Sequence, residues 1–177
     1  MPTPRSQCLG FEELEDRTVP SVTFIKDINP GSGSSKPNDS YLTTELVAAN
    51  VNGILFFAAD DGLHGLELWK SDGTAGGTVF LKDIYPGIKH SYLSHFTNVN
   101  GTLYFTAKDD THGNELWKSD GTTAGTVLVT DLADGLFHSD PNNLTNVSGT
   151  LFFAANDQFT GTELWKVVGN GTETPGP

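Results

Sequence analysis

Cysteine is almost absent from this chain, whose 177 residues contain one, Cys8. A single thiol excludes an intrachain disulfide framework and any metal site built on paired cysteines. Positive charge is scarce too. Ten Lys and Arg stand against 22 Asp and Glu, a formal net charge of −12 at pH 7, which repels nucleic acid and anionic lipid alike. No nucleic-acid partner is expected. No stretch approaches the ~18 consecutive apolar residues of a membrane span, so membrane insertion is not expected either. The first 20 residues lack the apolar run of an ordinary secretory signal. Helical patterning is missing, with no 3.6-residue apolar period anywhere. Catalytic motifs are missing as well: no Walker loop, HExxH, GxSxG or EF-hand loop occurs.

What remains is a foldable, turn-dense composition, with 36% hydrophobic and 10% aromatic residues, 20 Gly and 9 Pro. The length fits one domain. Its dominant feature is an internal period, the signature of a repeat architecture. Glu67-Leu68-Trp69-Lys70 returns as Glu115-Leu116-Trp117-Lys118 and as Glu163-Leu164-Trp165-Lys166, so the three tryptophans stand 48 residues apart. The turn dipeptides Asn52-Gly53, Asn100-Gly101 and Ser148-Gly149 keep that spacing, as do Lys82-Asp83 and Thr130-Asp131. The earlier Lys26-Asp27 stands 56 residues before Lys82-Asp83. The extra eight residues are assigned to the Gly-, Ser- and Pro-rich stretch Gly31 to Ser40, where a surface loop accommodates insertion cheaply.

The signature Glu-Leu-Trp-Lys-Ser-Asp-Gly-Thr at 67–74 and 115–122, each copy followed shortly by Gly-Thr-Val, resembles the ELWxxDGT repeat family of exported bacterial proteins. The resemblance covers roughly residues 21–168 and rests on Trp69, Trp117, Trp165, Asp72, Gly73, Asp120 and Gly121. The third copy departs from it, reading Val167-Val168-Gly169-Asn170 after Lys166. Gly10 to Ser21 resembles the LEDRxxPS-type tag near the start of many such proteins, which implies an extracellular or cell-surface, bacterial-type location. The resemblance implies a fold type rather than an activity.

Each repeat reads as four short strands separated by turn signals. In the second copy these fall near His95 to Val99, Thr102 to Lys108, Asn114 to Lys118 and Thr126 to Asp131. Asn-Gly joins the first two, because a type I′ turn needs positive φ at both central positions. The second strand carries Leu103, Phe105 and Ala107 on one face and Tyr104 between threonines on the other. A strand apolar on both faces belongs between two sheets. The expected fold is therefore all-β: three tandem 48-residue, four-stranded repeats forming β-propeller-like blades, with an open β-solenoid as the alternative. Blades are expected at about 43–84, 95–132 and 143–166, between a largely disordered leader (1–20) and a disordered tail (169–177). The third lacks an outer strand. Residues 21–28, which read like Val79 to Ile84, are expected to complete that last sheet.

The candidate chemistry lies in turns. Asp61, Asp110 and Asp157 are calcium candidates, because loop carboxylates supply the oxygens this ion needs; the competing reading is that Asp simply initiates turns. His64, His90, His112 and His138 are candidates for a ligand face shared with those turns. For the tryptophans, packing between sheets competes with stacking on sugars. Polar residues that recur in register suit architecture better than a unique catalytic constellation. The expected function is a non-catalytic extracellular or surface-associated repeat module that binds a protein, glycan or matrix component, or contributes structure. The alternatives are a hydrolase on the same scaffold or a remnant of a longer array. A homodimer formed by strand exchange through residues 22–28 is the expected partner.

Overall fold

The computed structural model describes residues 20–37 and 47–168. Residues 10–19 of the tag-like segment, the expected start of the first blade at 43, and the tail 169–177 lie outside the described residues. Eleven strands and no helix are described. The first sheet is β1 (Ala48–Val51), β2 (Ile54–Asp60), β3 (Leu66–Ser71) and β4 (Val79–Lys82). The second is β5 (Ser94–Val99), β6 (Thr102–Lys108), β7 (Asn114–Ser119) and β8 (Val127–Thr130). The third has three strands, β9 (Asn142–Val147), β10 (Thr150–Asn156) and β11 (Thr162–Lys166). In all three, neighbours in sequence pair antiparallel as a meander.

Local chemistry explains the hairpins. The Asn52-Gly53, Asn100-Gly101 and Ser148-Gly149 pairs all have positive φ, between 49° and 84°, as a two-residue I′ turn requires. The Asp-Gly-Thr signature closes a different loop. Thr74 N–H and Oγ1 both donate to Asp72 Oδ1, at 2.9 and 2.7 Å, while Thr74 Oγ1 accepts from Gly77 N–H at 2.9 Å. Thr78 Oγ1 donates back to the Thr74 carbonyl at 2.7 Å. The same bonds recur among Asp120, Thr122, Gly125 and Thr126. The signature is thus a self-satisfied loop that brings β4 back beside β3. Ser71 and Ser119 anchor it through Thr78 and Thr126, at 2.7 and 2.8 Å. In the third copy Val167 follows Lys166 where those serines stand, and it has no hydroxyl to give.

Packing follows strand parity. Phe56, Ala58 and Leu68 of the first sheet meet Leu103, Phe105, Ala107 and Trp117 of the second. From the opposite face of the second sheet, Leu116 and Tyr104 meet Leu151, Phe153, Ala155 and Trp165 of the third. Each tryptophan thus faces backward in the array. Trp69 and Trp117 are 6% exposed; Trp117 packs between the first two sheets, as expected, whereas Trp69 is covered by Ile28 of the N-terminal segment rather than by a second sheet. The close backbone approaches between sheets run through β1 with β5 and β5 with β9, and none of comparable extent joins β3 with β7 or β4 with β8. Asparagines tie those first strands together: Asn98 Nδ2 donates to Asn50 O and Asn146 Nδ2 to Asn98 O, both at 2.9 Å. The sheets converge at their first strands and diverge at their last.

The N-terminal segment departs from expectation. Residues 21–28 form no strand and do not pair with the third sheet; they run beside the first. Lys26 Nζ donates to the Thr78 carbonyl at 2.7 Å, and Ile28 packs on Phe57, Ala59 and Trp69. The reason is in the period. Lys82 makes the matching bond to Thr126 O at 2.7 Å, so the segment holds the place of a preceding repeat's outer edge. Ser35 O accepts from Asp60 N–H as Ser91 O does from Lys108 N–H, which puts the extra eight residues after Ser35.

Candidate functional site

One end of the three sheets gathers the β2–β3, β6–β7 and β10–β11 turns together with the crossovers between sheets. Each crossover is stitched to the turns on both sides. Ser91 N–H donates to Leu66 O at 3.2 Å and Ser91 O accepts from Lys108 N–H at 2.7 Å. Two glycines permit this approach. A Cβ on Gly65 would stand 2.1 Å from the Lys89 carbonyl, and one on Gly113 would stand 1.9 Å from that of Phe137, with φ of +73° and +71°. No side chain fits there.

The carboxylates at this end serve the turns themselves. Asp61 Oδ1 accepts from Leu63 and His64 N–H at 2.9 Å, and Oδ2 accepts from His64 Nδ1 at 2.7 Å. Burial alone would raise its carboxyl, but the His64 ring and these N–H groups outweigh that and hold it below the usual value. The residue 48 positions on is Asp109, not Asp110: Asp109 accepts from His112 N–H at 2.6 Å and His112 Nδ1 at 2.7 Å, while Asp110 is exposed. Asp109 is likewise lowered against the pull of burial, and the bond to it raises the His112 ring above its usual value. Asp157 accepts from Phe159 and Thr160 N–H at 2.9 and 2.8 Å. All three aspartates therefore act as loop caps. No group of three or more His, Cys, Asp and Glu side chains placed to hold a metal is found among the described residues.

The four candidate histidines divide into two in-register pairs. His64 and His112 lock onto their turn aspartates, whereas His90 and His138 accept at Nδ1 from Leu66 and Asn114 N–H at 2.8 and 2.7 Å. An N–H donor fixes their ring proton on Nε2. Each of the second pair thereby holds a crossover to the turn it passes.

Two further sets of residues shape this end, one read from the sequence only as recurring architecture and one not singled out there at all. Glu67 and Glu115 are wholly buried. Glu67 accepts from Ile84 N–H at 2.8 Å and Tyr85 N–H at 3.3 Å, and Glu115 from Leu132 and Ser139 N–H at 3.1 and 2.9 Å. Burial pushes the Glu67 carboxyl up to about 8 and raises that of Glu115. The signal was present as the invariant Glu of the repeated tetrapeptide, without its partner. The second set is apolar: Leu63, Ile88, Leu136, Phe137 and Phe159 are 65–89% exposed, all on these turns and crossovers. Gln158 Nε2, beside Phe159, donates to Asp134 O at 3.5 Å, joining the third turn to the second crossover. These exposed apolar side chains all stand on turns and crossovers at one end of the sheets, among capped carboxylates.

The chain matches no family model, no curated protein and no solved structure. Its description therefore rests on its own geometry: an all-β array of three antiparallel sheets, with no helix among the described residues long and apolar enough to cross a membrane.

Proposed function

We propose that this chain is a non-catalytic, extracellular or surface-associated binding module of the ELWxxDGT type. Its blade-like sheets present the turn-and-crossover end face to a protein or glycan partner. The observation that carries this reading is the exposed set Leu63, Ile88, Leu136, Phe137 and Phe159 on a single end, because clustered exposed apolar side chains mark interaction surfaces. Phenylalanine rings there suit either an apolar protein contact or stacking on a sugar ring. Support for a non-catalytic role is chemical. The conspicuous acids and histidines are committed to backbone N–H groups that recur every 48 residues, which is what a scaffold uses them for. Sheets that meet at their first strands and splay at their last support blades over a flat solenoid stack, in which all strands would be equally close.

The test is binding of the purified chain to glycan and matrix-protein arrays, with and without calcium, alongside Phe137→Ser and Phe159→Ser variants. Binding that weakens at least tenfold in both variants without loss of folding supports the end face. Undiminished binding by both variants, or turnover of a bound glycan, overturns this reading.

A further inference from the structure

Two unfinished features of the chain match each other. Among the described residues the third sheet has no strand beyond β11, although its first two counterparts each continue to an outer strand. At the other end of the array, residues 22–28 have an outer-strand sequence and an outer-strand position but no sheet. Three equivalences establish that position. Lys26 to Thr78 O repeats Lys82 to Thr126 O, and Ser35 O to Asp60 N–H repeats Ser91 O to Lys108 N–H. Ile28 against Phe57 and Trp69 repeats Ile84, clustered with Phe105 and Trp117. The segment is the outer edge of a sheet whose other three strands are not placed there by any described residue.

The geometry points to a second copy of the chain as the source of those three strands: β9–β11 of one copy pair with residues 22–28 of the other, reciprocally, in a closed two-fold dimer. This inference goes beyond the binding reading and stands independently of it. The segment keeps its contacts with its own first sheet, and the partner's third sheet comes up beside it. Exposure fits. Leu164 is 75% exposed where Leu68 and Leu116 are 0%, and Val22 and Phe24 are 102% and 78% exposed. Pairing the sheets this way lays the outer face of one copy's third sheet on the Phe57–Trp69 flank of the other, as the first sheet lies on the second. The described sheets of two copies number six, inside the range of roughly four to eight that closed blade rings use.

The register can be stated. Trp69 pairs with Phe80, Lys70 with Val79 and Leu68 with Lys82. Carried over by the repeat, Trp165 lies opposite Phe24, Lys166 opposite Thr23 and Leu164 opposite Lys26. The full chain carrying Cys8→Ser, Thr23→Cys and Lys166→Cys is oxidised when dilute and run on non-reducing gels, next to the two single-cysteine variants alone and mixed. The expected result is a covalent dimer for the double variant and for the mixture, well above either single variant alone. An intrachain disulfide, a ladder of higher species, or no excess over the single variants overturns the proposal. Phe24→Pro provides a second arm that does not depend on cysteine chemistry. Position 24 is exposed and unpaired in the single chain, so proline leaves the monomer folded but breaks a strand ladder. Light scattering should read a dimer for the wild-type chain and a monomer for Phe24→Pro; a monomeric wild type, or a dimer untouched by the proline, overturns the proposal.

Discussion

Glu67 shows what a residue gains and loses by serving the fold from inside. Its carboxyl anchors the start of the crossover through Ile84 and Tyr85 N–H, yet burial raises it from 4.5 to about 8. Between those values the native state holds a proton that the unfolded chain has released. Stability contributed by this group is therefore complete below about pH 4.5 and is lost as pH rises to about 8, by on the order of a few kcal/mol. Glu115 and His112, both raised, act in the same direction. Asp61 and Asp109, both lowered, act oppositely, and their contribution disappears as pH falls below the usual aspartate range. Urea melts should thus find higher stability near pH 5 than at pH 8.5, with Glu67→Gln flattening the slope; a Gln variant that keeps the wild-type slope assigns it elsewhere. Trp117 poses the packing question in the same way. It fills the space between the first two sheets, so Trp117→Ala should cost about 3 to 5 kcal/mol, as large core truncations do. Trp165, half-buried on the last sheet, should cost distinctly less in the same denaturation series.

At the scale of elements, the crossovers and the turns they pass are the units that shape the end face. Gly113 allows the second crossover through with a Cβ-to-carbonyl distance no side chain tolerates, whereas Gly161, with φ of +84°, has open space around it. Gly161→Ala should therefore cost only the left-handed backbone penalty of roughly 1–2 kcal/mol. Gly113→Ala should cost more and displace Phe137. Equal losses for the two variants in equilibrium unfolding would show that the crossover gives way freely. Strands of this kind were legible beforehand: alternation, Asn-Gly turns and the 48-residue period placed the second sheet's strands to within a residue or so of where they lie. The aspartate register was not, because Asp109-Asp110 offers two acids and only the bonds to His112 distinguish them. The Asn50–Asn98–Asn146 ladder was hidden for a different reason. Its spacing was on the page, but nothing in a polar residue before a turn reveals that it reaches the next sheet. Residues 21–28 resemble Val79 to Ile84 and so read as a strand of the last sheet, but they form no strand and lie beside the first sheet, because the pattern does not say which sheet's flank holds them.

Over the whole molecule, the three sheets have the same design and unequal surroundings, and their stabilities should differ accordingly. The second sheet is covered on both faces by its neighbours. The first is covered by the second and, on its other flank, by Ile28 of the N-terminal segment. Among the described residues the third is covered on one face only, and its outward Leu164 remains 75% exposed. In an array where each unit draws stability from nearest-neighbour interfaces, local opening follows coverage. Hydrogen exchange at monomeric dilution should be slowest across β6 and β7, intermediate across β2 and β3, and fastest across β11. Uniform protection would mean that the three sheets unfold as one unit whatever covers them. Concentration then separates intrinsic stability from assembly. Where chains pair through β11 and residues 22–28, those two segments should slow together as concentration rises, while β6 and β7, already covered on both faces, should hardly change.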